Sequence, residues 1–232
     1  MYKNLFEAAI DGSETMNTYL YDVKIKCPVC GREFTHTKVR MSHLKVLEIR
    51  KDLYTKYEGI EPFFYDPIVC PNCGYAALSD IFNNISDEGK KEILSKITIN
   101  WTKRKFSGER TPRKALESYL LSLYCSELKN DKDIIFAKTC LRIAWIYNIL
   151  GDYANENKYL KISLDMYKKA YEGFEAYDGE IQLIYMIGEL NKILGYRDEA
   201  LKWFNKVINH PDRKNHSLIV NYAKDEWQSL KI

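Results

Sequence analysis

The 232-residue sequence has no run of about 20 apolar residues, so hydropathy offers no bilayer-spanning helix. Its six prolines and eleven glycines are too few for a proline-rich or low-complexity chain. Neither sign of charge dominates, since 35 basic residues against 32 acidic ones leave +3, well short of a dedicated nucleic-acid domain. There is no GxxxxGK(S/T) phosphate loop, no GxGxxG after a strand, no HExxH and no GxSxG, so nucleotide and hydrolase chemistry lack their usual signatures. Four scattered histidines, and no nucleophile with an identifiable base, point to binding rather than catalysis. Residues 1–11 include Glu7 and Asp11 and no apolar h-region, so they do not read as a signal peptide, and a cytoplasmic chain is expected.

What the chain does have is two matching cysteine pairs, Cys27-Pro28-Val29-Cys30-Gly31 and Cys70-Pro71-Asn72-Cys73-Gly74. A two-residue gap lets one tight turn aim both thiolates at a single ion. Proline sets the entry to that turn, and glycine permits the reversal behind the second sulfur. Together the knuckles supply four soft ligands, Cys27, Cys30, Cys70 and Cys73, the closed tetrahedral set of structural zinc. Iron in a rubredoxin-like site suits the same ligands. A redox or disulfide role is the third reading, and it fits less well with a glycine after each pair and a cytosolic compartment. The 39 residues between Cys30 and Cys70 exceed the usual spacing of roughly 15 to 20, so the module carries a structured insertion. His36 and His43 lie near it, but four thiolates already close the site. Cys125 and Cys140 fall in apolar helical patterns and read as inert core thiols.

Residues 19–26 alternate polar and apolar as a strand does, and 34–39, 44–49 and 63–69 are further extended segments, with a turn at 58–62. These predict a small antiparallel zinc-ribbon-like module within residues 1–85, with Tyr57, Phe63, Phe64, Tyr65 and Tyr75 packing it against the helical part of the chain. Beyond Ser79 the period becomes helical. Gly108, Gly151 and Gly195 recur at intervals of 43 and 44 residues. Each separates two apolar-periodic runs: 93–106 from 112–128, 134–150 from 153–171, and 181–194 from 197–208. Each glycine is expected to be a left-handed helix stop, with Thr111 and Pro112 as N-cap and first-turn proline. The expected fold class is α+β, mainly α, with an array of helical hairpins over residues 86–232.

The residues Gly188-Glu189-Leu190, Gly195-Tyr196, Ala200, Phe204, Val207 and Pro211 resemble a tetratricopeptide repeat, in which small residues sit where helices cross and a large one fills the hole. The two knuckles are joined by Tyr57-Glu58-Gly59-Ile60, Phe64-Tyr65-Asp66, Phe106-Ser107-Gly108-Glu109-Arg110, Leu141-Arg142-Ile143-Ala144-Trp145 and Gly188-Glu189-Leu190-Asn191. Taken together, they resemble the bacterial family catalogued as domain of unknown function 2225, over about residues 20–210. The resemblance implies an architecture and no activity. By it, Arg110, Arg142, Trp145 and Glu189 are the family's patterned positions outside the metal site, and locking helices together is their simplest role.

A stacked helical array suits protein binding. In the tetratricopeptide-like register, the residues lining a concave groove are Lys138, Leu141, Trp145 and Asn148 in one repeat, and Gln182, Tyr185, Glu189 and Lys192 in the next. This mixed polar and aromatic set fits a peptide or a partner helix, although Trp145 and Tyr185 equally read as core. The expectation is therefore a zinc-stabilised adaptor with a protein or peptide partner. The alternative is a zinc-ribbon nucleic-acid-binding protein, because residues 23–58 hold nine basic side chains against four acidic ones. Some of those cations could instead balance the negative zinc–thiolate centre. A thiol redox sensor is a third reading.

Overall fold

The computed structural model describes residues 18–173 and 179–231. The readings placed on residues 1–11 and on the N-terminal extension lie outside the described residues.

Three two-stranded antiparallel hairpins come first: β1 (Leu20–Lys26) with β2 (Glu33–Val39), β3 (Val46–Ile49) with β4 (Thr55–Tyr57), and β5 (Pro67–Val69) with β6 (Ala76–Leu78). Seven α-helices come after them among the described residues: α1 (Asp87–Lys96), α2 (Pro112–Lys129), α3 (Asp133–Ile149), α4 (Tyr153–Glu172), α5 (Glu180–Ile193), α6 (Arg197–Ile208) and α7 (Ser217–Ser229). None is long and apolar enough to cross a membrane.

The alternation in β1 does what a period of two requires. Val23 and Ile25 lie opposite His36 and Phe34 on the inner face, while Lys24 and Lys26 stay exposed with Thr35 and Glu33 opposite them. Residues 63–65 depart from the expected strand. Pro62 opens a 3-10 turn, Pro62–Tyr65, closed by the Phe64 N–H to the Glu61 carbonyl, and only Pro67–Val69 remain extended. Proline's fixed φ and absent N–H favour the start of a turn over a place in a ladder.

Helix ends obey their side chains. Ser86, Thr111 and Asp152 each accept a backbone N–H from the residue three positions on, as N-caps should. Gly151 and Gly195 are left-handed, at φ 73 and 82, and behind each the next N–H reaches back to a carbonyl of the last turn, of Tyr147 and Asn191. The first expected pair is different. No helix covers 93–106, because α1 ends at Lys96, a 3-10 turn spans Thr98–Asn100, and an irregular segment continues to Arg110. The pull comes from the metal module: Thr98 Oγ1 bonds the Cys73 carbonyl at 2.9 Å and Trp101 Nε1 the Pro71 carbonyl at 3.0 Å. Gly108 is accordingly no helix stop; its N–H donates to Thr37 Oγ1 at 2.7 Å.

Helix α5 is apolar almost all round and is buried from Leu183 through Asn191. Its close crossing with α6 is made at Gly188, where a Cβ would meet the Phe204 ring at 2.8 Å. The hairpin region and the helices share a core. Ile60, Phe64, Tyr65 and Leu78 pack in one cluster with Ala115, Tyr119, Ile143 and Ile146.

Candidate metal centre and helical groove

β1 and β5 each run straight into a cysteine knuckle, and β2 and β6 lead out. The two turns are built alike. Cys27 N–H donates to the Arg32 carbonyl at 3.0 Å and Gly31 N–H to the Cys27 carbonyl at 2.9 Å; Cys70 with Tyr75, and Gly74 with Cys70, repeat the pattern at 2.8 and 3.0 Å. Both glycines are left-handed, with φ 70 and 78. At Gly31 a Cβ would meet open space, whereas at Gly74 it would fall 2.5 Å from the Trp101 ring.

The four sulfurs converge, all within 4.8 Å of one another. Cys27 and Cys73 are 3.6 Å apart, and Cys30 and Cys70 3.7 Å. A tetrahedron with zinc–sulfur bonds of about 2.3 Å has edges of about 3.8 Å, so the donor set fits a four-coordinate thiophilic ion. Iron has the same requirement, and the geometry alone does not choose between them. The cysteines are unbridged, and Cys27, Cys70 and Cys73 are buried. As free thiols they share protons: hydrogen bonding from Cys27 and Cys73 drives Cys70 down to about 2. Donating to it pushes Cys27 up to about 12, and bonding to Cys27 raises Cys73 as well.

His36 and His43 are not part of this set. His36 is buried on the inner face of β2, where desolvation and the Arg110 charge hold it down to about 4, and His43 Nδ1 lies 3.1 Å from the Thr18 carbonyl. Cys125 accepts the Ala76 N–H behind the second knuckle, and burial pushes both Cys125 and Cys140 up to about 12, as inert core thiols require.

The predicted groove residues fall into two groups. Lys138, Leu141, Trp145 and Gln182 line a cavity of about 300 Å³ between α3 and α5, together with Arg142 and Asp52. Lys138 and Trp145 are half-buried, Gln182 is exposed and Leu141 is buried. Tyr185, Glu189 and Lys192 lie beyond this cavity, and Asn148 is turned to Glu156 at 3.0 Å. The turn between β3 and β4 reaches into the groove. Asp52 accepts from Trp145 Nε1 at 2.9 Å, the Lys51 carbonyl accepts the Tyr185 hydroxyl at 2.7 Å, and Lys51 Nζ pairs with Asp225 at 3.0 Å. Leu53, left-handed at φ 64, packs into the helical core. Glu189 is buried; desolvation raises it to about 7, and Lys192 beside it pairs with Glu226.

The sequence profile of a family described as "Uncharacterized protein conserved in bacteria (DUF2225)" matches residues 20–230. The chain belongs to this family. An uncharacterized protein of Borreliella burgdorferi is 31% identical over 172 residues, covering 66% of this chain and 61% of the relative. The match therefore spans under two thirds of that relative's length. No solved structure matches the chain.

In this DUF2225 protein, three of the patterned residues outside the cysteine cluster fasten the hairpin region to the helical part of the chain. Arg110 Nη1 bonds the Phe64 and Pro67 carbonyls at 2.7 and 2.9 Å, Arg142 pairs with Asp66 at 3.1 Å, and Trp145 holds Asp52. Sequence reading missed Trp101 and Asp52. Neither has a local signature, since Trp101 acts on a knuckle 30 residues upstream and Asp52 on an indole 93 residues downstream.

Proposed function

We propose that this DUF2225 protein is a zinc-binding adaptor. In this reading four thiolates hold a structural zinc within a zinc-ribbon-like module, and tetratricopeptide-like hairpins dock a protein or peptide partner in the cytoplasm. The observation that carries it is the closed set of four sulfurs at tetrahedral spacing. Four protein ligands leave no position for water or substrate, which assigns the metal to the fold and the function to a surface. The glycine stops at Gly151 and Gly195 and the Gly188–Phe204 crossing support the repeat-like reading of the helices.

The cavity beside Trp145 supports the docking role. At about 300 Å³ it takes a side chain or a chain end rather than a whole helix. Lys138 and Gln182 offer polar contacts at its mouth, with Leu141 and Trp145 as an apolar wall. The test is a photo-crosslinking residue at Gln182 in the full chain, expressed in its own host. A discrete crosslinked species that disappears in Lys138→Glu is expected. Labelling no stronger than from the same residue at Tyr153, 68% exposed on α4, overturns the docking site.

A further inference from the structure

We propose that the outer face of the β1–β2 hairpin, with the irregular segment that crosses it at residues 101–108, binds the phosphate backbone of a nucleic acid through Lys24, Lys26, Lys103 and Lys105. This surface is separate from the docking cavity and does not depend on it.

The basic surplus of residues 23–58 does not survive folding as one patch. Arg40 is turned onto the Leu20 carbonyl and the Tyr21 ring, Lys45 pairs with Glu58 at 3.3 Å, Arg50 with Asp52, and Lys51 with Asp225. Lys24 and Lys26 remain exposed on β1, on one face and a two-residue step of about 6.7 Å apart. Thr35, directly opposite Lys24, lines a shallow groove of about 410 Å³ whose other wall is Lys103, Arg104, Lys105 and Ser107, with Pro71 of the second knuckle at its end. The segment is anchored there by the Gly108 N–H on Thr37 Oγ1 and by Trp101 on the Pro71 carbonyl. Arg104 is committed to Glu117 and lies over the Trp101 ring, whereas Lys103 and Lys105 are exposed and have no ion-pair partner among the described residues.

Free lysines from distant parts of the chain thus meet at one groove: Lys103 and Lys105 wall it, and Lys24 stands across the hairpin from Thr35 at its edge. A linear polyanion satisfies several at once, which a lone phosphate does not. Phe106, the aromatic side chain among the groove's lining, is only 4% exposed, so the groove itself offers charge and polar groups rather than a ring on which a base could stack. Glu33, opposite Lys26, and Asp22, two residues before Lys24 and bonded by the Thr37 hydroxyl, are acidic side chains at the two ends of this face. Recognition is therefore of backbone charge and independent of sequence.

The experiment is fluorescence anisotropy of a labelled mixed-sequence RNA of about 20 nucleotides with the full chain, between about 50 and 200 mM salt. The expected result is binding that weakens with salt, with a log–log slope that falls by about 0.7 for each lysine removed in Lys24→Ala, Lys103→Ala and Lys105→Ala. The same changes should leave the metal content untouched. Two results overturn the proposal: no binding at the lowest salt, or an equal loss from Lys161→Ala with Lys169→Ala on α4. Loss of metal from the lysine variants also overturns it, because it would assign these cations to balancing the thiolates.

Discussion

The indole of Trp145 on α3 donates from Nε1 to Oδ2 of Asp52 at 2.9 Å, joining the tip of the β3–β4 hairpin to the helical groove. Asp52 is 3% exposed and is also gripped by Arg50 Nε at 3.0 Å and the Tyr54 N–H at 3.3 Å. A buried carboxylate with this many donors is stable only while they are present. Asp52→Ala is expected to cost about 2 to 3 kcal/mol, because it leaves the guanidinium and the indole N–H without their acceptor. Trp145→Phe should cost about 1 to 2 kcal/mol. The double variant should fall short of the sum, as contacting residues do. Urea unfolding of the four proteins checks this, and full additivity would deny the coupling.

Removing the metal is expected to loosen the hairpin region before the helices. The binding energy of a four-thiolate zinc site is folding energy, on the order of 10 kcal/mol in small zinc peptides. Helices α3 to α7 have their own cluster, from Ala137 to Ala223, with none of the four clustered cysteines in it. Trp101 lies over the second knuckle and serves as the reporter. After chelation its emission should shift to the red while the far-ultraviolet helix signal changes little. Simultaneous loss of both signals would show that the helices depend on the metal as well.

The two knuckle glycines should not be equivalent. An alanine at either must hold a left-handed conformation, at a cost of about 1 to 2 kcal/mol. At Gly31 that is the whole penalty, since a Cβ would meet open space. At Gly74 the new methyl would also strike Trp101 and Ile97, at 2.5 and 2.8 Å. Gly74→Ala is therefore expected to reduce metal affinity well beyond Gly31→Ala, measured by competition with a chromogenic zinc chelator. Equal losses would mean that Trp101 moves aside freely.

Glu189 makes the stability depend on pH in a definite direction. Its folded value, about 7, is raised above the ordinary 4.5 by burial. Above the unfolded value the unfolded chain gives up this proton and the folded protein keeps it, so stability falls as pH rises from about 4.5 to 7 and then levels off. The span corresponds to at most about 3 kcal/mol. Glu189→Gln removes this dependence. It should raise the melting temperature over wild type at pH 7.5 and hardly at all at pH 4.5, and a gain independent of pH would rule out burial of the charge as its cause.

Most of the candidate metal site was legible in the chain. The spacing of Cys27, Cys30, Cys70 and Cys73, and the glycine behind each pair, are local requirements of a turn that must aim two thiolates, and local requirements leave a local mark. The cap at Thr111 and the stops at Gly151 and Gly195 were readable for the same reason, since each satisfies backbone groups within a few residues. The same logic misled at Gly108, where an apolar run ending in glycine resembles a helix and its stop. There Trp101 and Thr98 find partners on the second knuckle and draw the backbone off its helical path.

Tertiary structure alone decided what fills the groove and where free positive charge lies. Trp145 and Tyr185 were visible as aromatic residues at helical spacing, but only the fold sets the β3–β4 tip against them. Arg40, Lys45, Arg50 and Lys51 counted toward a basic stretch until folding gave each a partner, while Lys103 and Lys105, far away in sequence, came to wall a groove with Thr35, the residue opposite Lys24. The sequence by itself determined the knuckles, the helix ends and the apolar faces, because these rest on bonds between near neighbours. Which charges are quenched and which remain exposed depends on contacts spanning up to 174 residues, and no local pattern encodes a pairing at that distance.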